Sequence, residues 1–259
     1  MARLLMKNAS HIVTCDPSDT VYTDSNLLME DGVITYIGPE EQQAEEVIDA
    51  AGCIVYPGLI NPHHHLYQTF SRNLPQVQNL ELFDWLTALY EIWKGLDTEV
   101  VRLSSLVGMG ELLKHGCTCA FDPQYCFTKA TGKAPVDRQM GAASQLGIRY
   151  HAGRGVNTRP REEGSTIPAN MLETTDEYLK DCERIIQLYH DPKPYSMSQI
   201  VMAPCQPINC TEDTFLETIR LARSAGVHMH THLCEGENSS MVRRFGVRSL
   251  EWCRRIGFV

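Results

Sequence analysis

Two histidine-bearing segments carry residue types and spacings that can hold a metal ion. In Pro57-Gly-Leu-Ile-Asn-Pro-His63-His64-His65 the outer histidines stand two apart. On an extended backbone His63 and His65 therefore share one face, while His64 takes the other. Imidazole nitrogen suits zinc and iron, and a catalytic centre needs about three protein ligands plus a position left open to water. The second segment is His228-Met-His230-Thr-His232-Leu-Cys-Glu235. Its histidines also share a face. Catalytic groups of a barrel sit at the C-terminal ends of its strands, so His232 is the candidate third ligand. His228 and His230 then lie deeper, as wall residues. Glu235 falls in the following loop, in reach of a water at such a centre, where it can take a proton and pass it to a leaving group. Cys205 and Cys234 lie near the same ends, but no neighbouring base is at hand to lower a thiol pKa, which argues against a cysteine nucleophile.

These residues need strands to position them, and the punctuation of the chain supplies them. Residues 1–56 read as a small β unit, with apolar runs at 4–6, 11–14, 26–29 and 33–37 and the hairpin signal Asp31-Gly32 between the last two. From about residue 57 to 259 the rhythm becomes strand, loop or helix, glycine, strand, the pattern of βα units with a parallel sheet. Helices are expected at 97–115, 136–146, 212–225 and 240–256, each closed by a glycine that can take the left-handed position after a helix. Strands are expected at 54–61, 117–122, 148–153, 199–204 and 227–232, and loops at 122–135 and 155–170. A sixth strand begins at Phe258-Val259, where the sequence ends. A (β/α)8 barrel takes about 250 residues, so about five βα units point either to an open α/β sheet or to the first part of a longer barrel.

The composition excludes several classes. With 43% hydrophobic and 21% charged residues the chain is globular rather than disordered. Its net charge of −9 is a poor match for a phosphate backbone, so nucleic-acid binding is not expected. No apolar stretch approaches the roughly 20 residues of a membrane helix, and the start lacks the features of a secretory signal. A cytoplasmic protein with reduced thiols is expected, its ten cysteines being scattered without a C-x-x-C pair.

The chain resembles the amidohydrolase superfamily, in its cytosine deaminase, guanine deaminase and chlorohydrolase branch. The residues that carry the likeness are Pro57-Gly-Leu-Ile-Asn61, His63-x-His65, the run from Glu111 to Thr118 with Asp122, and His232-x-x-Glu235. More narrowly, His64-His65-Leu-Tyr-Gln68, Leu82-Phe-Asp-Trp-Leu86 with Tyr90 and Trp93, His151-Ala-x-Arg154-Gly155 and Ala203-Pro-Cys205 are similar to 8-oxoguanine deaminases and their triazine- and pterin-processing relatives.

The resemblance implies an α/β fold, the (β/α)8 TIM barrel of the metal-dependent hydrolases, with a small N-terminal β-sandwich part. It implies one divalent metal, zinc first and iron as the alternative, on His63, His65 and His232, with Glu235 moving protons. No lysine stands at the end of the fourth strand to bridge a second metal. Gln68 is expected to read a lactam edge, since its amide both donates and accepts. Trp85 and Tyr90 form an aromatic wall for a flat heterocycle; Trp93 is helix packing. Arg154, at a strand end, holds a substrate carbonyl or anion, or else a salt bridge at the barrel rim. Gln124 follows Asp122-Pro123, where the relatives tend to carry a histidine after the aspartate, a departure that tells against strict 8-oxoguanine specificity.

The implied activity is hydrolytic deamination of a purine- or pterin-like heterocycle, with a triazine amino- or chlorohydrolase as the rival of the same fold. A non-catalytic homologue with a structural or oligomer-forming role is the rival of another class. A small heterocyclic substrate and a homo-oligomeric state are implied as well. The family takes a further histidine from strand six and an aspartate from strand eight, neither of which precedes Val259. The 259 residues alone are therefore expected to be inactive or to bind metal weakly.

Overall fold

The computed structural model describes residues 2–259, which fall into two compact units, one ending at Leu59 and the other running from Ile60 to Val259. The first is a mixed sheet of β1 (Arg3–Val13), β2 (Val21–Glu30), β3 (Val33–Gly38), β4 (Glu46–Asp49) and β5 (Ile54–Val55), in the order β3-β2-β1-β4 with β5 also on β1. Asp31 and Gly32 both take positive φ, 48° and 82°, which the tight turn between β2 and β3 requires. The runs expected separately at 4–6 and 11–14 form one strand, β1, because the polar pair Lys7-Asn8 is absorbed by a bulge. Asn8 lies at φ 63°, and the register against β2 shifts between Met6 and Ala9.

The second unit is built on a sheet ordered β6 (Leu59–Asn61), β7 (Cys117–Gln124), β8 (Arg149–Val156), β9 (Ser198–Pro204) and β10 (His228–Met229). The pairs β7–β8, β8–β9 and β9–β10 are parallel. The crossovers carry α1 (Leu82–Trp93), α2 (Thr98–Lys114), α3 (Ala134–Leu146), α4 (Thr175–Tyr189) and α5 (Glu212–Ala225), and α6 (Asn238–Phe245) and α7 (Ser249–Arg255) follow β10. This is a partial (β/α)8 barrel with its apolar strand positions buried against the helices. Ile200 and Met202 on β9 are fully buried, as are Tyr150 and Ala152 on β8. Among the described residues, no helix is long and apolar enough to cross a membrane.

Four local differences from the sequence reading stand out. The strand expected over 54–61 divides into β5, which pairs with β1 in the first sheet, and β6, which joins the second. The helix read over 240–256 breaks into α6 and α7, since Gly246 ends the first at φ 72° and Arg248 is extended. The strand read over 227–232 is only two residues long. Beyond Met229 the backbone keeps one-sided bonds to its single neighbour, His230 N–H to the Met202 carbonyl and His232 N–H to that of Cys205, both at 2.9 Å. The fourth is α4, where no helix is expected from the sequence although its capping box is in view. Thr174 accepts from Glu177 N–H, and Glu177 accepts from Thr174 N–H.

Candidate metal centre

The chain turns sharply after β6. Asn61 Oδ1 accepts from His63 N–H at 3.1 Å, and the His64 N–H bonds to the Phe121 carbonyl of β7 at 3.0 Å. The next clamp is a buried carboxylate: Asp122 Oδ2 accepts from Leu66 N–H at 2.6 Å and from Gln139 Nε2 at 3.3 Å. Burial pushes the Asp122 pKa up to about 7 against those two hydrogen bonds. Asp122 thus pins the backbone directly after His65, and Gln124 belongs to the same buried network, accepting from Gln139 Nε2 at 3.1 Å.

So held, His63, His65 and His232 converge. The His65 Nε2 lies 3.2 Å from His63 Nε2 and 3.2 Å from His232 Nε2. All three ligand atoms fall within 4.8 Å of one another. The His65 and His232 rings stack at 13°. His232 Nδ1 is 2.9 Å from the Cys205 carbonyl, which can only accept. The proton of His232 therefore sits on Nδ1, and its Nε2 offers a lone pair. His230 lies below, its ring 5.3 Å from that of His63 and 4.8 Å from Phe121, and His228 is exposed.

Desolvation pushes His63, His65 and His232 below the ordinary histidine range, and His230 to about 3. All are neutral near pH 7, the state in which imidazole ligates a metal. A stability prediction follows for the metal-free chain. His230 stays neutral in the fold down to about pH 3, whereas an unfolded chain takes up that proton near pH 6.5. Below pH 6.5 the unfolded state binds more protons, so stability falls as pH falls. For His230 alone the loss at pH 5 is about 2 kcal/mol. Thermal melts of the parent and of His230→Phe at pH 7 and pH 5 check this, and an equal acid loss in both proteins would refute it.

A cavity of about 350 Å3 opens over the three histidines, with Glu235, Gln68 and Gln206 as its other polar lining groups. Leu82, Trp85, Leu86 and Tyr90 from α1 and Tyr125 after β7 supply the apolar wall. Glu235 is raised above the usual carboxylate range by burial, an effect opposed by the hydrogen bond from Gln206 Nε2 at 2.7 Å. Trp93 packs below, with its Nε1 donating to Ser71 Oγ at 2.9 Å. Burial holds the Cys205 thiol well above its ordinary pKa, which removes it as a nucleophile.

Arg154 is the site candidate that the structure takes elsewhere. Its side chain is fully buried, bonded to Asp181 at 2.7 Å and to Glu173 at 2.6 Å, with the guanidinium 3.6 Å from the Phe127 ring centroid. It does not line the cavity; it ties β8 to α4. Conversely, Gln206 and Tyr125 line the cavity without having been expected there, and Leu82 and Leu86, named above only for the resemblance, line it too. Gln206 had a signal, since it stands two residues past the end of β9, at the strand ends where barrel chemistry gathers.

Against this geometry, comparison with known proteins is specific. The amidohydrolase family profile matches residues 54–259, and the chain belongs to that family. It is 44% identical to hydroxydechloroatrazine ethylaminohydrolase of Pseudomonas sp. strain ADP, over 100% of this chain and 56% of that protein. It is 33% identical to 8-oxoguanine deaminase of Pseudomonas aeruginosa, over 100% of this chain and 58% of that one. A zinc-complexed atrazine chlorohydrolase from Arthrobacter aurescens TC1 superposes with a TM-score of 0.92 at 26% identity, over 98% of this chain and 58% of that structure. The chain thus spans a little over half the length of these relatives.

Proposed function

We propose that His63, His65 and His232 hold one divalent metal ion, zinc in first place and iron as the alternative, for the hydrolytic removal of an amine from a flat nitrogen heterocycle. The convergence of three imidazole Nε2 atoms carries this reading. Ligands about 2.0–2.1 Å from a tetrahedral zinc stand about 3.3 Å apart, close to the two separations of 3.2 Å found here. Without a cation the arrangement is unsatisfied. If His65 Nε2 carries a proton it can serve only one of its two neighbours, and if it does not, two lone pairs face each other across His65 and His232.

A bound ion supplies Lewis acidity and brings the pKa of water to near 7. The protein groups do the rest. Glu235 takes a proton from the attacking water and delivers it to the departing nitrogen. The carbon–nitrogen bond breaks, a carbon–oxygen bond replaces it, and the amine leaves neutral. Gln206 holds the Glu235 carboxylate, Gln68 reads an edge of the ring, and Trp85, Tyr90 and Tyr125 enclose its faces and exclude water.

The lining favours an alkylaminotriazine over an 8-oxopurine. Leu82 and Leu86 line the cavity beside Trp85 and Tyr90 and suit an alkyl substituent, which an 8-oxopurine lacks. The test is release of alkylamine or ammonia from a hydroxylated alkylaminotriazine, 8-oxoguanine and isoxanthopterin by a zinc-loaded protein that carries this chain at the full length of its relatives. Alkylamine release is the expected result, and release of ammonia from the oxopurine alone would reverse the order. Glu235→Gln is expected to lower turnover by about 100-fold or more while metal content stays the same. Retained turnover would remove Glu235 from proton transfer.

A further inference from the structure

Glu235 stands on a backbone turn that ordinary loop preferences do not explain. Cys234, before it, lies at φ 61°, and Gly236, after it, at φ 130°. Left-handed backbone at a non-glycine residue such as Cys234 is strained, and strain of this kind persists only where the surroundings over-determine it. A Cβ at Gly236 would stand 2.9 Å from Phe83 Cε2 of α1, so the turn is packed closely on that side.

The polar agent is Glu237. Its carboxylate accepts from Cys234 N–H at 2.6 Å and from Glu235 N–H at 2.7 Å. Glu237 is only 1% exposed. A carboxylate is costly to bury, and the two short charge-assisted bonds that offset this cost run to consecutive backbone amides, one on each side of the Cys234 Cα. The side chain of Glu235 is held from elsewhere. Gln206, 3% exposed, donates from Nε2 to Glu235 Oε2 at 2.7 Å. A carboxylate only accepts, so this contact fixes which end of the Gln206 amide faces Glu235. Prolines at 204 and 207 stiffen the segment that carries it.

We propose that Glu237 and Gln206 are positioning residues for Glu235: Glu237 fixes the strained turn that presents it to His63, His65 and His232, and Gln206 selects the rotamer of its carboxylate. The functional meaning rests on Glu235 as the proton carrier, whereas the positioning itself is a property of the metal-free chain. A proton carrier set in advance by two independent contacts need not be ordered when the proton moves.

The test is nuclear magnetic resonance on the full 259-residue chain without metal. It follows amide hydrogen exchange at Cys234 and Glu235, and the side-chain rotamer of Glu235 from three-bond couplings. The parent is expected to show slow exchange and a single rotamer. Glu237→Gln, which keeps the shape and removes the charge, is expected to speed exchange at both amides about tenfold or more and to average the rotamer. Gln206→Leu is expected to average the rotamer while both amides keep their protection, a pattern that general loosening of the fold would not produce. A parent whose Glu235 already averages, or variants that both keep the single rotamer, overturn the proposal. Cobalt(II) uptake by the same samples reads the metal centre separately. A chain that takes up no cobalt yet shows the expected rotamer pattern refutes the metal assignment and supports the positioning role.

Discussion

His65→Ala is expected to abolish zinc uptake, taking the parent's one ion per chain to nearly none. On the proposed ligand set His65 would be the middle one: its Nε2 is the atom within 3.2 Å of both others. Removing an outer histidine leaves an adjacent pair, but removing His65 leaves His63 and His232 without their link. Loss of a supporting group around a metal ligand already costs about 10–100-fold in affinity, so loss of the central ligand is expected to cost at least about 100-fold. Equilibrium dialysis against zinc, with metal content read by mass spectrometry, measures it. The fold should survive the change, because the clamp from Asp122 reaches the backbone of Leu66 rather than the His65 ring. Zinc at about 100 times its dissociation constant should add about 2.7 kcal/mol to the parent, seen as a rise in Tm that His65→Ala lacks. Full stoichiometry in the variant would overturn the ligand set.

The parts of this centre that are legible in the sequence are those set at strand ends: His63 and His65 follow β6 directly, and His232 follows β10. Strand alternation itself does not bring them together, since the chain turns after Asn61. The helix stops are legible for a local reason: Gly147 and Gly226 take the left-handed conformation that a side chain resists, at φ 72° and 69°. What could not be read depends on which segments fold back on which. Arg154 stands at a strand end, where a charged group reads as a site residue. Its partners Glu173 and Asp181 lie 19 and 27 residues further along, on the segment that returns over β8. On α1 the aromatic wall of Trp85 and Tyr90 is legible, whereas the lining role of Leu82 and Leu86 is not, because nothing in their spacing tells a core from the lining of a cavity. The strand bearing His232 is shorter than alternation alone indicates: it ends at Met229, and His230 and His232 then reach β9 and the Cys205 carbonyl by single backbone bonds.

Arg154→Met is expected to lower stability by about 3–5 kcal/mol and to leave zinc content unchanged. The guanidinium is fully buried between two carboxylates, of which Asp181 is itself fully buried and also accepts from Arg184 Nε at 2.8 Å. Removing the cation leaves Glu173 and Asp181 short of a partner in a poorly solvated setting, which costs far more than the pair contributes over an apolar replacement. For a chain of this length each kcal/mol moves Tm by about 2–4 °C, so a fall of about 6–20 °C is expected in thermal melts. Arg154→Lys should not restore it, since one ammonium cannot bond two carboxylates in the geometry of a planar fork. Arg154→Met combined with Glu173→Gln and Asp181→Asn should recover part of the loss, because no uncompensated charge then remains on those residues. The two roles considered for this arginine separate on the same samples. A structural tie lowers Tm and spares zinc uptake, whereas a substrate contact would spare Tm and weaken binding of the heterocycle. With the Arg154 side chain fully buried and its fork engaged by Glu173 and Asp181, the first outcome is the one the geometry requires.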